Sequence, residues 1–182
     1  AIGLAELAAK QPARQLRFSA TENPSAPSWP NGAQVCEVEI DQETGVITID
    51  RITSVDDVGR IINEMIVEGQ VQGGIAQGAG QALMEHAIYD PESGQLVTGS
   101  FMDYGMPRAD DFPPMANHFV TGVPCTTNLL GAKGVGELGT IGAPMAIVHA
   151  VLDALRERGV KHIEMPVTAE KVWRVLRATD AA

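Results

Sequence analysis

The chain has 182 residues, with 13 Lys plus Arg against 23 Asp plus Glu and a formal net charge of −10. That sign repels phosphate backbones and anionic lipid headgroups, which sets aside nucleic-acid and membrane-surface partners. With 45% hydrophobic and 20% charged residues the composition is that of a globular domain able to bury a sizeable core, and what stands out is 19 glycines and 11 prolines.

In Ala1 to Ala9, residues Ile2, Leu4, Leu7 and Ala8 fall near helical spacing and predict a short amphipathic helix. TENPSAPSWPNG then marks a loop ending in an Asn31-Gly32 turn. The division is an N-terminal helix and loop over 1–28 and a core over 29–182. Val38 and Ile40 alternate with Glu37, Glu39 and Asp41, DQETG supplies a turn, and Val46 to Ile52 resume as a strand, which predicts a β-hairpin. Asp56 to Glu68 reads as a connector with partial helical character, and Gly69 to His86 as a glycine-rich helix. Ala87 to Asp90, PESG and Gln95 to Tyr104 carry a second hairpin signal, followed by an extended proline-rich loop from Pro107 to Pro124. After a glycine-rich loop, Gly131 to Gly142, Pro144 opens a helix that Gly159 ends, with Ile147, Val148, Val151, Leu152 and Leu155 as its buried stripe. Lys161 to Met165 reads as a short strand, and Thr168 caps a last helix reaching Arg177. The sum is an α+β fold, a mixed sheet with β-hairpins packed against helices.

Cys36 and Cys125 are the only cysteines, and His86, His118, His149 and His162 are scattered singly, so no zinc or iron–sulfur ligand set can be assembled. Cys36 reads as a small apolar strand residue; no activating cation is evident beside Cys125. His149 lies beside the buried stripe and reads as a core-edge residue. The longest apolar stretch, Ile141 to Leu152, is too short to span a bilayer and no signal peptide is recognisable, so the expected compartment is the cytoplasm. Because the chain runs from Ala1 straight into AIGLAELAAK, it is expected to be a piece of something larger.

Two stretches could carry chemistry. In GQVQGGIAQGAGQAL, Gly73, Gly74, Gly78 and Gly80 each cost about 1 kcal/mol in a helix relative to Ala, roughly 4 kcal/mol together, unless close backbone approach requires them. At helical spacing Gln70, Gly74, Gln77, Gly78 and Gln81 share one face, and their carboxamides match the lactam and amino edge of a pterin or nucleobase, or phosphate oxygens. The alternative is a small-residue seam against another helix or sheet. In GAKGVGELGTIGAP, Gly134, Gly136, Gly139 and Gly142 let the chain turn through positive φ and expose N–H groups to an anion. Its carboxylate, Glu137, is either a base or a cap on backbone amides; Lys133 either meets a phosphate or is solvated. The spacing of a P-loop or of a dinucleotide-binding GxGxxG is absent. Asp103, Tyr104, Arg108, Asp110 and Asp111 read as an exposed hairpin end, with a site lining as the alternative.

Taken together, NGAQVCEVEIDQETG, EGQVQGGIAQGAGQALMEH, SFMDYGMPRADDFP and NLLGAKGVGELGTIGAPMAIVHAVLDAL resemble the C-terminal part of the molybdenum-binding large subunit of the xanthine dehydrogenase, aldehyde oxidoreductase and carbon monoxide dehydrogenase family. The resemblance spans roughly residues 30 to 176 and is closest to bacterial members that use molybdopterin cytosine dinucleotide and pair with an FAD subunit and an iron–sulfur (2Fe–2S) subunit. It implies that Glu137 is the active-site general base toward a metal-bound hydroxyl, in hydroxylation of a small-molecule aldehyde or N-heterocycle. It further implies that Gln70 contacts the cofactor, that Lys133, Gly134 and Gly136 lie beside the metal centre, and that Gln77 and Gly78 lie near the cofactor. The expected partners are the remainder of the large subunit and the two redox subunits, in an oligomeric assembly. Asn63-Glu64 departs from the Asn-Pro found in many relatives. Alternatives within and outside the enzyme class are carbon monoxide oxidation, a non-catalytic assembly module, and an anion-binding protein using the 131–142 loop.

Overall fold

The computed structural model describes residues 2–180. A short helix, α1 (Leu4–Ala9), is followed by two long strands, β1 (Asn31–Ile40) and β2 (Ile47–Asp57), then α2 (Glu64–Leu83), β3 (Ala116–Phe119), α3 (Leu138–Ala154) and α4 (Ala169–Asp180). The sheet order is β1-β2-β3, with β1 and β2 antiparallel and β3 parallel to β2.

The β1–β2 hairpin forms where alternation predicted it. Asp41 Oδ1 accepts from the amides of Glu43 and Thr44 at 2.8 and 3.0 Å, and Gly45 closes the turn at φ +74°. At Gly45 a side chain would meet Ala169 and Trp173, so the turn seats on the start of α4. Between Glu37 and Val38 the register shifts, leaving Asp50 as the extra residue of a bulge. Inward residues of β2, the α2–α3 pair and α4 meet in one core that includes Ile52, Ile75, Ile147, Val151 and Val172, each at most 2% exposed.

Several expectations change. Asn31 and Gly32 lie in β1 instead of a turn, because Gly32 pairs with Asp56 and leaves room for its carboxylate. Within the proline-rich segment, Ala116–Phe119 finds a partner in β2. The second hairpin reduces to a turn with one bridge, Tyr89 to Leu96, and Lys161 to Met165 forms no strand. α2 starts five residues before Gly69, capped by Asn63, whose Oδ1 accepts from Ile66 N at 3.1 Å. Glu64 is then the first helical residue, a position that suits either a proline or an acidic group, so the departure from Asn-Pro leaves the helix entry intact. α3 begins at Leu138, which places Gly139, Gly142 and Pro144 inside the helix. Gly159 ends this segment as expected, at φ +74° after a 3-10 turn. Thr168 Oγ1 accepts from Lys171 N at 3.4 Å at the start of α4. His149 is exposed on α3. Among the described residues α1 buries nothing and no helix is long and apolar enough to cross a membrane.

Candidate functional site

The glycines of α2 divide by direction. A Cβ on Gly74 would come 2.9 Å from both Gly139 Cα and Thr140 N, and one on Gly78 would come 2.8 Å from Ala143 Cβ and 2.9 Å from Pro144 Cδ. Gly139 answers from the other side, where a Cβ would run into the carbonyl oxygen of Val71. Gly74 and Gly78 therefore belong to a helix–helix seam and not to the open carboxamide face on which helical spacing placed both. Gly73 has nothing within 4 Å of a built Cβ, and Gln70, Gln77 and Gln81 are exposed on the stripe that flanks the seam.

The α3 N-terminus is pressed against α2 at this seam, and Glu137 is its N-cap residue, at φ −108° and ψ −6°. Its side chain is exposed and makes no cap hydrogen bond, so the amide-capping alternative does not hold. The first turn is closed by backbone: Leu138 N donates to Val135 O at 3.2 Å, and the amides of Thr140 and Ile141 donate to Glu137 O at 3.1 Å. From β1, Gln34 Nε2 donates to Gly139 O at 3.0 Å.

Gly134 and Gly136 are exposed with nothing within 4 Å of a built Cβ, so the backbone of this loop is open to close approach. None of Gly134, Gly136, Gly139 and Gly142 adopts positive φ; Gly131, at +69°, is the loop residue that does. For Gly139 and Gly142 the use is small size, against α2 and Gln34.

Lys133 is neither solvated nor free for a phosphate. Its Nζ lies 2.6 Å from Asp57 Oδ2, with side chains 9% and 15% exposed. Lys133 N also donates to Val58 O at 2.8 Å, so the loop is pinned to the end of β2. The hydrogen bond from Lys133, joined by the Gly59 amide, holds the Asp57 carboxyl below its usual range. Asp56, the preceding residue, behaves in the opposite way. It is fully buried, neither oxygen has a partner within good hydrogen-bond geometry, and burial pushes its carboxyl up against a smaller lowering from the nearby Ser54 hydroxyl. Burial likewise raises the Cys36 thiol to about 11. The Cys125 thiol is lowered, first by the Thr127 hydroxyl 3.1 Å away and least by the Lys133 charge, the cation that sequence reasoning missed.

The Asp103–Asp111 segment, expected as an exposed hairpin end, is instead a turn followed by a 3-10 turn over Ala109–Asp111. Tyr104 donates to Glu85 Oε2 at 2.7 Å, and Asp111 Oδ2 accepts from Arg108 N at 2.6 Å. Residues missed by sequence reasoning are Gln34, Asp57 and Asp56. A signal existed for Asp56: alternation of Ile52, Ser54 and Asp56 places it on the inner face. Among the described residues no group of three or more His, Cys, Asp or Glu could hold a metal ion.

The sequence model of the molybdopterin cofactor-binding domain matches residues 4–113. The chain is 42% identical to the nicotine 6-hydroxylase large subunit of Paenarthrobacter nicotinovorans over 89% of its own length and 20% of that protein's. It is 36% identical to the carbon monoxide dehydrogenase large chain of Hydrogenophaga pseudoflava, over 85% of this chain and 19% of the relative. Among solved structures, a Cu,Mo-CO dehydrogenase superimposes with a TM-score of 0.78 at 36% identity, covering 83% of this chain and 19% of that one. Quinoline 2-oxidoreductase from Pseudomonas putida 86 gives 0.77 at 42% identity, covering 81% and 19%. The chain thus spans about a fifth of the length of the relatives it matches. A match over more than half of the sequence, with the same fold at these identities, shows that the chain belongs to the molybdopterin cofactor-binding domain family.

Proposed function

We propose that the chain supplies part of a molybdopterin cytosine dinucleotide cradle and the general base, Glu137, of a molybdenum hydroxylase acting on an N-heterocycle or aldehyde. The observation that carries this reading is the juxtaposition at the α2–α3 seam. An exposed, uncapped carboxylate at the α3 N-terminus sits against the glycine-faced stretch of the helix that bears Gln70 and Gln77. The residues present fit such a group: exposed carboxamides offer paired donors and acceptors, and bare backbone at Gly73, Gly134 and Gly136 permits contact without a side chain between.

When bound, the molybdenum cofactor accepts the two electrons removed from the substrate carbon. The chain's own residues do the rest. Gln70 and Gln77 orient the cofactor through its amide and amino edges, and Gly134 and Gly136 let the loop lie close to it. Lys133, held by Asp57, fixes the loop's position, and Gly78 acts by letting α3 approach α2. Glu137 takes up the proton released as oxygen is added to the electron-poor carbon. Partner subunits carrying 2Fe–2S clusters and FAD would receive those electrons.

The remainder of the pocket lies outside this chain. Its accessible surface is 12404 Å², against about 8500 Å² for a compact monomer of this mass. Exposed apolar side chains such as Met65, Leu129 and Phe101 contribute to the excess. The expected cover is the rest of a large subunit, and the isolated chain is expected to be inactive. Nicotine and quinoline, in the names of the two relatives at 42% identity, favour an N-heterocycle over carbon monoxide as substrate class.

The test is Glu137→Gln in the intact enzyme. Near-complete loss of hydroxylation with molybdenum and cytidine phosphate retained is expected. Unchanged turnover would turn the reading toward a non-catalytic assembly module, and absence of both molybdenum and cytidine phosphate from the wild-type complex would end it.

A further inference from the structure

We propose that Gln34 is a positioning residue for Glu137, clamping the first turn of α3 from the sheet side; this rests on the reading of Glu137 as the base. Gln34 lies on β1, 104 residues before Leu138, and its Nε2 donates to Gly139 O at 3.0 Å and reaches Leu138 O at 3.5 Å. Those carbonyls already accept intrahelical bonds from the amides of Gly142 and Ala143, so the side chain is a second donor that backbone satisfaction does not require. Its other end is left unserved. Oε1 is buried without a hydrogen-bond partner, a condition that ordinarily disfavours folding. For folding alone, an apolar side chain of the same length would serve better.

The helix is shaped to receive this carboxamide. A Cβ on Gly142 would come 3.1 Å from Gln34 Cδ, closer than comfortable packing allows. On the opposite side, Gly139 is stopped by Val71 O, Ile75 N and Gly74 Cα of α2. The peptide units of residues 138 and 139 are therefore gripped from two directions, by a long paired strand and by a helix seam. Glu137 is the next residue outward and has no side-chain bond to the helix, so the location of its carboxylate is set by those peptide units. The α2 contact fixes the distance between the helices; Gln34 fixes how far the first turn can slide along the seam.

The experiment compares Gln34→Met and Gln34→Asn with Glu137→Gln in the intact enzyme. Met keeps the length and volume but has no donor, and Asn keeps the amide but is one methylene too short. Both are expected to retain molybdenum and KM while kcat falls by up to about 100-fold, as for a reacting group displaced by about an ångström. Amide exchange at Gly142 and Ala143 should quicken on the order of tenfold, the equivalent of one lost hydrogen bond, with the end of α3 unchanged. Wild-type kcat and exchange in both variants, with Glu137→Gln inactive, overturn the positioning role and leave the base intact. An active Glu137→Gln overturns the base and this proposal with it. If Gln34→Met does not fold, Gln34→Asn decides by the same readouts, and a rise in KM at unchanged kcat in that variant counts against positioning.

Discussion

The neighbouring glycines Gly73 and Gly74 are expected to respond to the same substitution with opposite signs. In a helix interior, Gly→Ala is favourable by about 1 kcal/mol from backbone entropy. At Gly73 nothing lies within 4 Å of the added methyl, so this gain stands alone. At Gly74 the methyl would sit 2.9 Å from Gly139 Cα and from Thr140 N, both backbone atoms of a second helix, so neither can swing aside. Relief requires α2 and α3 to separate by several tenths of an ångström, which also loosens Ile75 and Ile147 in the core. Overpacking of this kind costs roughly 1–3 kcal/mol, and rigid neighbours favour the upper end, leaving Gly74→Ala destabilising by about 2 kcal/mol net. For a chain of this length, about 1 kcal/mol corresponds to roughly 2–4 °C in Tm. Thermal unfolding should therefore rise by roughly 2–4 °C for Gly73→Ala and fall by roughly 4–8 °C for Gly74→Ala. Equal shifts in the two variants would refute the assignment of Gly74 to the seam and return it to the open face.

The two adjacent acids at the end of β2 should show opposite pH behaviour. Asp57 is held low by Lys133, so its contribution is complete above the ordinary carboxylate pKa of about 3.9 and is lost as pH falls through the lower folded value. Lys133→Met leaves that largely buried carboxylate without its cation, held by the Gly59 amide alone, and should cost about 3 kcal/mol at neutral pH, read by urea unfolding; an effect below about 1 kcal/mol would mean the pair is effectively solvated. Asp56 is raised by burial, so it weakens the fold progressively as pH climbs from the unfolded value toward the folded one. Asp56→Asn should flatten that part of the stability–pH curve and be at least as stable as the parent at neutral pH. A clear loss of stability there would show that the ionised carboxylate has a partner.

The hairpin was legible because it is local: alternation, an Asp41 turn and Gly45 lie within one short stretch. The start of α3 was not. Gly139, Gly142 and Pro144 are poor interior helix residues, and only the fit of Gly139 and Gly142 against α2 and Gln34 makes their small size favourable, a tertiary gain that propensity does not contain. β3 escaped notice because its four residues pair in parallel with a strand more than 60 positions earlier, inside a proline-rich segment. Lys133 was misjudged for the same reason, since its partner Asp57 lies 76 residues away. The α2 face was half legible. Helical spacing put Gln70, Gly74, Gln77 and Gly78 on one face, but whether small residues meet a helix or a ligand is decided by what stands opposite, and here the seam takes Gly74 and Gly78 and leaves the glutamines outside.

That division bears on why a glutamate, and not a better capping residue, occupies the α3 N-cap. Ser, Thr, Asp or Asn at an extended N-cap turns its oxygen back onto the N2 or N3 amide, stabilising a helix by about 1 kcal/mol and consuming the acceptor, whereas residue 137 is helical in backbone and its carbonyl already accepts from the Thr140 amide. Glu137 makes no such bond. The helix start is secured by other means: Val135 O accepts from Leu138 N, the Gly74–Gly139 contact presses one side, and Gln34 holds the other. Because none of these restraints touches the carboxylate, the backbone beneath it can be rigid while its oxygens stay available. A base needs both properties at once, a fixed origin and free lone pairs. An ordinary cap would supply the first by giving up the second; from this helical backbone Glu137→Asp supplies no cap, so it is expected to leave amide exchange at the α3 start unchanged while losing the function proposed for the longer side chain. Slower amide exchange in the first turn together with retained turnover would separate the two properties and break the argument.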